Sequence, residues 1–133
     1  MRLLTVLLST TAIFGFMYGV VTLLMPAAYL QTLGLQVSDT AVLQTRYFGA
    51  AVLGAGVMLG MARHAQEPAT MRALSLGNLL VVTATAIVSF GGLASGLLNA
   101  WGWAFVIPEL LLAVGYGFVF VQLARPKAVK TKR

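Results

Sequence analysis

Apolar residues fill four stretches of this chain, 3–25, 41–62, 73–93 and 101–123, with short polar breaks between them. Each stretch is close to the ~20 residues that an α-helix needs to cross a hydrocarbon core about 30 Å thick. The few polar positions inside the stretches recur at helical spacing. Thr11, Gly15, Tyr18 and Thr22 share one side of the first, and Ser75, Asn78, Thr85, Ser89 and Gly92 share one side of the third. The pattern predicts an all-α bundle of four transmembrane helices, with these stripes turned toward other helices. Hydrogen bonds between them would contribute about 0.6 kcal/mol each on average.

The breaks have their own signals. Arg2, the first apolar run and Pro26-Ala27-Ala28 together resemble a secretory signal, but the run is longer than the usual ~7–15 residues, so it is read as the first membrane helix. Between 26 and 40, Pro26 suits the start and Gly34 the end of a short interfacial helix, with Tyr29 at headgroup level. Ser38 and Asp39 then cap the second span. Residues 63–68, RHAQEP, form a compact polar turn in which Arg63 and Glu67 are spaced to pair. The break at 94–100 is neutral and rich in Gly, Ser and Asn. Trp101 and Trp103 open the fourth span as an aromatic belt. Pro108 lacks a backbone donor, which tends to free a carbonyl one turn earlier and interrupt the helix.

Composition places the whole chain in the membrane. The 133 residues are 59% hydrophobic and 9% charged, with a mean hydropathy of +0.91, whereas roughly a quarter of a soluble domain is charged. A single integral membrane domain, 1–133, is expected. There is no cysteine, which excludes disulfide exchange, thiolate ligation and iron–sulfur chemistry. His64 is the one histidine and stands at a membrane edge, while a metal site needs three or four ligands. No metal, no cofactor and no enzymatic activity are expected, because no nucleophile has a base at a suitable spacing.

Of nine Lys and Arg residues, five lie in the tail 124–133. That tail is suited to anionic lipid headgroups at about 1 kcal/mol per residue near the surface, not to nucleic acid. Arg2, the Arg63–Arg72 segment and the tail fall on one side of a four-span topology, and the opposite loops carry no Lys or Arg. This bias predicts both termini in the cytoplasm and a multi-pass protein of the cell inner membrane.

Two charges interrupt the apolar stretches, Arg46 in the second and Glu109 in the fourth. An ionised side chain within a span costs roughly 2.5–3.5 kcal/mol on insertion scales, so it normally has a partner. At 1.5 Å per residue, Arg46 lies about 8 Å below the start of its helix and Glu109 about 12 Å below Trp101. These depths predict an Arg46–Glu109 ion pair, with Tyr18, Gln44, Tyr47 and Asn78 as polar neighbours. An arginine so placed makes the carboxylate a poor proton carrier. Gly49 and Gly60 lie near Arg46 on one helix face; with Gly56, and with Gly15 and Gly19 in a G-x-x-x-G pair, they predict close helix packing.

Pro26 closing the first span, Gly34-Leu35 in the following loop, and Arg46 followed by Gly49 and Gly56 resemble small bacterial four-helix membrane proteins of the DoxX-like type. The resemblance covers the first half of the chain, and Arg46 and Gly49 are the positions it matches. It implies a four-helix membrane fold and an association with redox complexes of the membrane. The expected function is that of a non-catalytic accessory or assembly subunit, packed against other membrane-protein subunits of a respiratory or photosynthetic complex. Two alternatives stand beside it: a small transporter or channel using Glu109, and a DoxX-like redox-associated subunit.

Overall fold

A computed structural model describes residues 2–124, so the basic tail expected at 124–133 lies outside the described residues except for Ala124. The chain forms α1 (Arg2–Leu24), α2 (Pro26–Thr32), α3 (Asp39–Ala62), α4 (Pro68–Ala94), a 3-10 turn (Ala100–Gly102) and α5 (Trp103–Ala124). Among the described residues, four helices are long and apolar enough to cross a membrane. The architecture is the expected all-α four-helix bundle of a multi-pass membrane protein. We call the end carrying the 63–67 turn the basic end, and the end carrying α2 the neutral end.

The boundaries follow local chemistry. The Ser38 hydroxyl accepts from the Ala41 N–H at 3.2 Å and so caps α3. α4 begins at Pro68, ahead of the expected 73, because proline at the first helical position removes only a donor that had no intrahelical partner. α2 ends where Gly34 takes φ +79°. There the Gly34 N–H bonds the Gln31 carbonyl at 3.0 Å and the Leu35 N–H bonds that of Leu30 at 2.9 Å, the closing pair of a left-handed helix cap. α5 runs unbroken through Pro108, so the expected interruption does not occur.

α1 is the central helix. On one side it packs antiparallel to α3 with almost no side chain between the backbones. A Cβ on Gly19 would lie 2.6 Å from the Leu53 nitrogen, and one on Gly49 would lie 2.6 Å from Thr22 Oγ1. Gly15 and Gly56 meet along the same line, but at Gly60 a Cβ would have ordinary room, 3.8 Å from the Ala12 Cβ. Gly60 is therefore not part of the tight contact. On its other side α1 meets the α4/α5 hairpin. Leu4, Leu7 and Leu8 join Met71, Val82, Tyr116 and Val119 in the main apolar cluster.

Polar ties close both ends. Arg72 Nε donates to the Leu123 carbonyl at 2.9 Å, joining α4 to α5 at the basic end. At the neutral end Asn99 Nδ2 donates to the Thr32 carbonyl at 2.8 Å, and the Asn99 N–H to the Leu33 carbonyl at 3.1 Å. The expected Arg63–Glu67 pair is not formed: Arg63 Nε donates to His64 Nε2 at 3.1 Å, while Glu67 accepts from the Thr70 hydroxyl at 2.7 Å. The capping position of Glu67 turns its carboxylate onto its own helix start.

Candidate functional site

α5 carries Phe105 and Glu109 one turn apart, and therefore on one side. That side faces α1, α2 and α4. Glu109 is partly buried, and its Oε2 is enclosed without a hydrogen-bond partner. From α4, the Thr85 and Ser89 hydroxyls stand within reach of the carboxyl. Thr85 Oγ1 also donates back to the carbonyls of Val81 (3.0 Å) and Val82 (3.2 Å).

Above the carboxyl sits an aromatic cluster. Tyr18 of α1 and Tyr29 of α2 share a hydrogen bond between hydroxyls, and either can be the donor. Tyr18 meets the rings of Phe105 at 5.5 Å, Tyr29 at 5.4 Å and Phe48 at 5.8 Å, all edge to face. Glu109 acts electrostatically on both phenols. Tyr29 lies outside the spanning helices. Burial raises the pKa of its phenol above the ordinary value; the Tyr18 hydrogen bond opposes the shift, and the Glu109 charge adds to it. Tyr29 thus packs inward, not out at headgroup level as expected.

The predicted Arg46–Glu109 ion pair is absent among the described residues. Arg46 is exposed on the flank of α3, and the groups that reach the Glu109 carboxyl are Thr85 and Ser89. The reason is the order of helices. α3 lies against α1 through buried Thr45, Gly49 and Gly56, and Arg46 points about 100° away from Thr45. Because α1 stands between α3 and α5, two charges at matching depth are still kept apart. Gln44 and Tyr47 also face outward. Of the four polar neighbours expected around the pair, Tyr18 alone joins Glu109.

Asn78 belongs to a second polar level nearer the basic end. Its Nδ2 donates to the Leu74 carbonyl at 2.8 Å, and close by in the chain Ser75 Oγ is fully buried without a partner. Thr11 and Tyr116 bond each other at 2.8 Å between α1 and α5. Glu109 and Tyr116, both on α5, are about 10 Å apart along the axis. The seam where α1 meets α4/α5 thus holds two polar levels and both orphaned side-chain atoms found among the described residues. A polar atom buried without a partner costs free energy, so both mark places where the packing is not settled by apolar contact alone.

Sequence reasoning placed Glu109 inside the bundle but missed Tyr29, Phe105, Thr85 and Ser89 as its surroundings. The four-residue spacings Phe105–Glu109 and Thr85–Ser89 were the available signal. His64 is exposed, and no three His, Asp or Glu side chains converge among the described residues. No known family, curated protein or solved structure matches this chain.

Proposed function

We propose that this protein is a small, non-catalytic membrane transporter or channel in which the Glu109 carboxyl binds the proton or small cation that moves. The observation that carries this reading is the enclosed, unpartnered Glu109 Oε2 beside the hydroxyls of Thr85 and Ser89. A carboxyl within a spanning helix marks an ion or proton route by default. With Arg46 turned away, the objection that a neighbouring arginine would fix the carboxyl's charge falls. The Tyr18–Tyr29 hydroxyl pair supplies the approach from the neutral end, and the Thr11–Tyr116 level continues the seam toward the basic end. The excess of Lys and Arg at that end supports a cytoplasmic location for both termini in a bacterial inner membrane.

The test is flux in proteoliposomes that contain the purified protein alone. Glu109→Gln keeps shape and hydrogen bonding, and should abolish proton or monovalent-cation flux while leaving the helical circular dichroism and the melting temperature near wild type. Unchanged flux in that variant, or no flux in the wild-type protein, overturns the reading.

The accessory-subunit reading keeps one specific support, the exposed Arg46. Among the described residues no carboxylate pairs with it, and on this reading its counter-charge comes from a carboxylate on another subunit of a respiratory, photosynthetic or DoxX-like redox complex, or from lipid. Gentle solubilisation followed by native gels and mass spectrometry tests it. Comigration with larger subunits that is lost in Arg46→Gln supports it, and a small monodisperse species in both proteins counts against it.

A further inference from the structure

We infer that the basic end carries a defined site for the phosphate of an anionic phospholipid, built from Arg63 and His64. A cavity of about 320 Å³ opens there between the start of α1 and the α3–α4 turn, lined by Leu4, Thr5, Arg63, His64, Ala65, Gln66 and Met71. Its chemistry is divided. Leu4 and Met71 belong to the buried apolar cluster, so one wall is continuous with the hydrophobic interior. Facing it are a guanidinium, an imidazole and an amide.

The polar wall is arranged as a donor set. Arg63 Nε gives its proton to His64 Nε2 at 3.1 Å, which orients the guanidinium and leaves the two terminal nitrogens of Arg63 as a fork. A planar fork of N–H donors suits a phosphate bidentately. With His64 Nε2 engaged by Arg63, Nδ1 is the ring nitrogen left to meet a ligand. Glu67, the carboxylate nearest in sequence, does not line the cavity and is held by Thr70. Arg2 and Arg72 lie at the same end and add positive charge.

The apolar wall selects the source of the phosphate. Leu4 and Met71 close the cavity floor at 3% and 4% exposure, and a phospholipid can lay the upper part of an acyl chain on the exposed Leu3 and Met61, close in the chain to lining residues, while its headgroup meets Arg63; free phosphate gains nothing from them. Basic pockets between spanning helices, at the face where the bilayer is anionic, are the usual place for such headgroups. The site does not depend on the role of Glu109.

The experiment uses the full-length protein, delipidated and titrated with phosphatidylglycerol, phosphatidylcholine or inorganic phosphate, with native mass spectrometry as the readout. The expected result is one saturable phosphatidylglycerol adduct, bound about tenfold or more weakly in Arg63→Gln, as for loss of a hydrogen bond between charged groups. A triple tail variant, Lys127→Gln with Lys130→Gln and Lys132→Gln, should keep that adduct and lose only the salt-sensitive association with vesicles. Arg63→Lys retains charge without the fork, so weaker binding by this folded variant isolates the geometry. Equal binding of phosphatidylcholine, displacement by millimolar inorganic phosphate, an adduct unchanged in both Arg63 variants, or an adduct lost in the tail variant would each overturn the assignment.

Discussion

The two sides of α1 use opposite packing. Toward α3, Gly15, Gly19, Gly49 and Gly56 bring backbones together so closely that not even a methyl group fits at Gly19. Toward α4 and α5 the helix presents full side chains, among them Thr11, which bonds Tyr116, and Tyr18, which meets Phe105. The first side leaves no space for water along its line of glycines. The second leaves two buried polar atoms without partners. In a membrane, where lipid tails are as apolar as leucine, association rests on such close packing and on hydrogen bonds. One side of α1 supplies rigidity, and the other keeps room for polar groups that a fully packed interior would not tolerate.

The largest effect should come from filling the glycine side. In Gly19→Val the new Cβ meets the Leu53 backbone at 2.6–2.7 Å, and backbone cannot swing aside as a side-chain tip can. Overpacking of this kind costs about 1–3 kcal/mol or more, read as a fall in the unfolding midpoint in mixed micelles. Gly54→Ala, on the facing helix α3, has no neighbour within 4 Å and should show no loss, since alanine is the better helix former by about 1 kcal/mol. Equal destabilisation by the two would mean that α3 does not lie on α1 as described.

The contrast between the two sides also explains what could be read from the chain beforehand. Four spans, the short helix after Pro26 and the role of Gly15, Gly19, Gly49 and Gly56 were legible because length, apolarity and small-residue spacing are properties of one helix at a time. The neighbours of Glu109 were not. Depth along a helix follows from counting residues, so Arg46 and Glu109 came out at matching levels, but which helix stands between them is a fact of lateral order that no single-helix pattern carries. The polar stripe of α4 was visible, yet Asn78 and Thr85 direct donors to their own helix backbone. Such back-bonding is locally available to any Ser, Thr or Asn in a helix.

On the looser side the ties are individually modest. Asn99→Ala removes the bond to the Thr32 carbonyl and the acceptor for the Trp101 N–H at 3.0 Å. The loss should be about 1 kcal/mol, as for other caps. Hydrogen exchange should then rise in α2, which carries Tyr29, and not along α3. Faster exchange along α3 would mean that the two sides of α1 are not independent. Tyr116→Phe keeps the buried ring and deletes only the 2.8 Å bond to Thr11. A loss near 0.6 kcal/mol is expected, the average for interhelical hydrogen bonds in membranes. A much larger value would place Tyr116 in a wider network that includes the orphaned Ser75 hydroxyl.

The smallest expected effect is the most discriminating. If Arg46 and Glu109 were a buried pair, removing either partner alone would cost about 3–5 kcal/mol, and removing both would restore much of it. With α1 between their helices, Arg46→Gln and Glu109→Gln should instead add to within about 0.5 kcal/mol in a double-mutant cycle of unfolding free energies. Arg46→Gln alone should be nearly neutral, because an exposed arginine near a helix end reaches the headgroups along its own flexible stem. A coupling energy of several kcal/mol would put α3 beside α5, dissolve the distinction between the two sides of α1, and return Glu109 to a structural role. Additivity would leave its carboxyl available to whatever enters the seam.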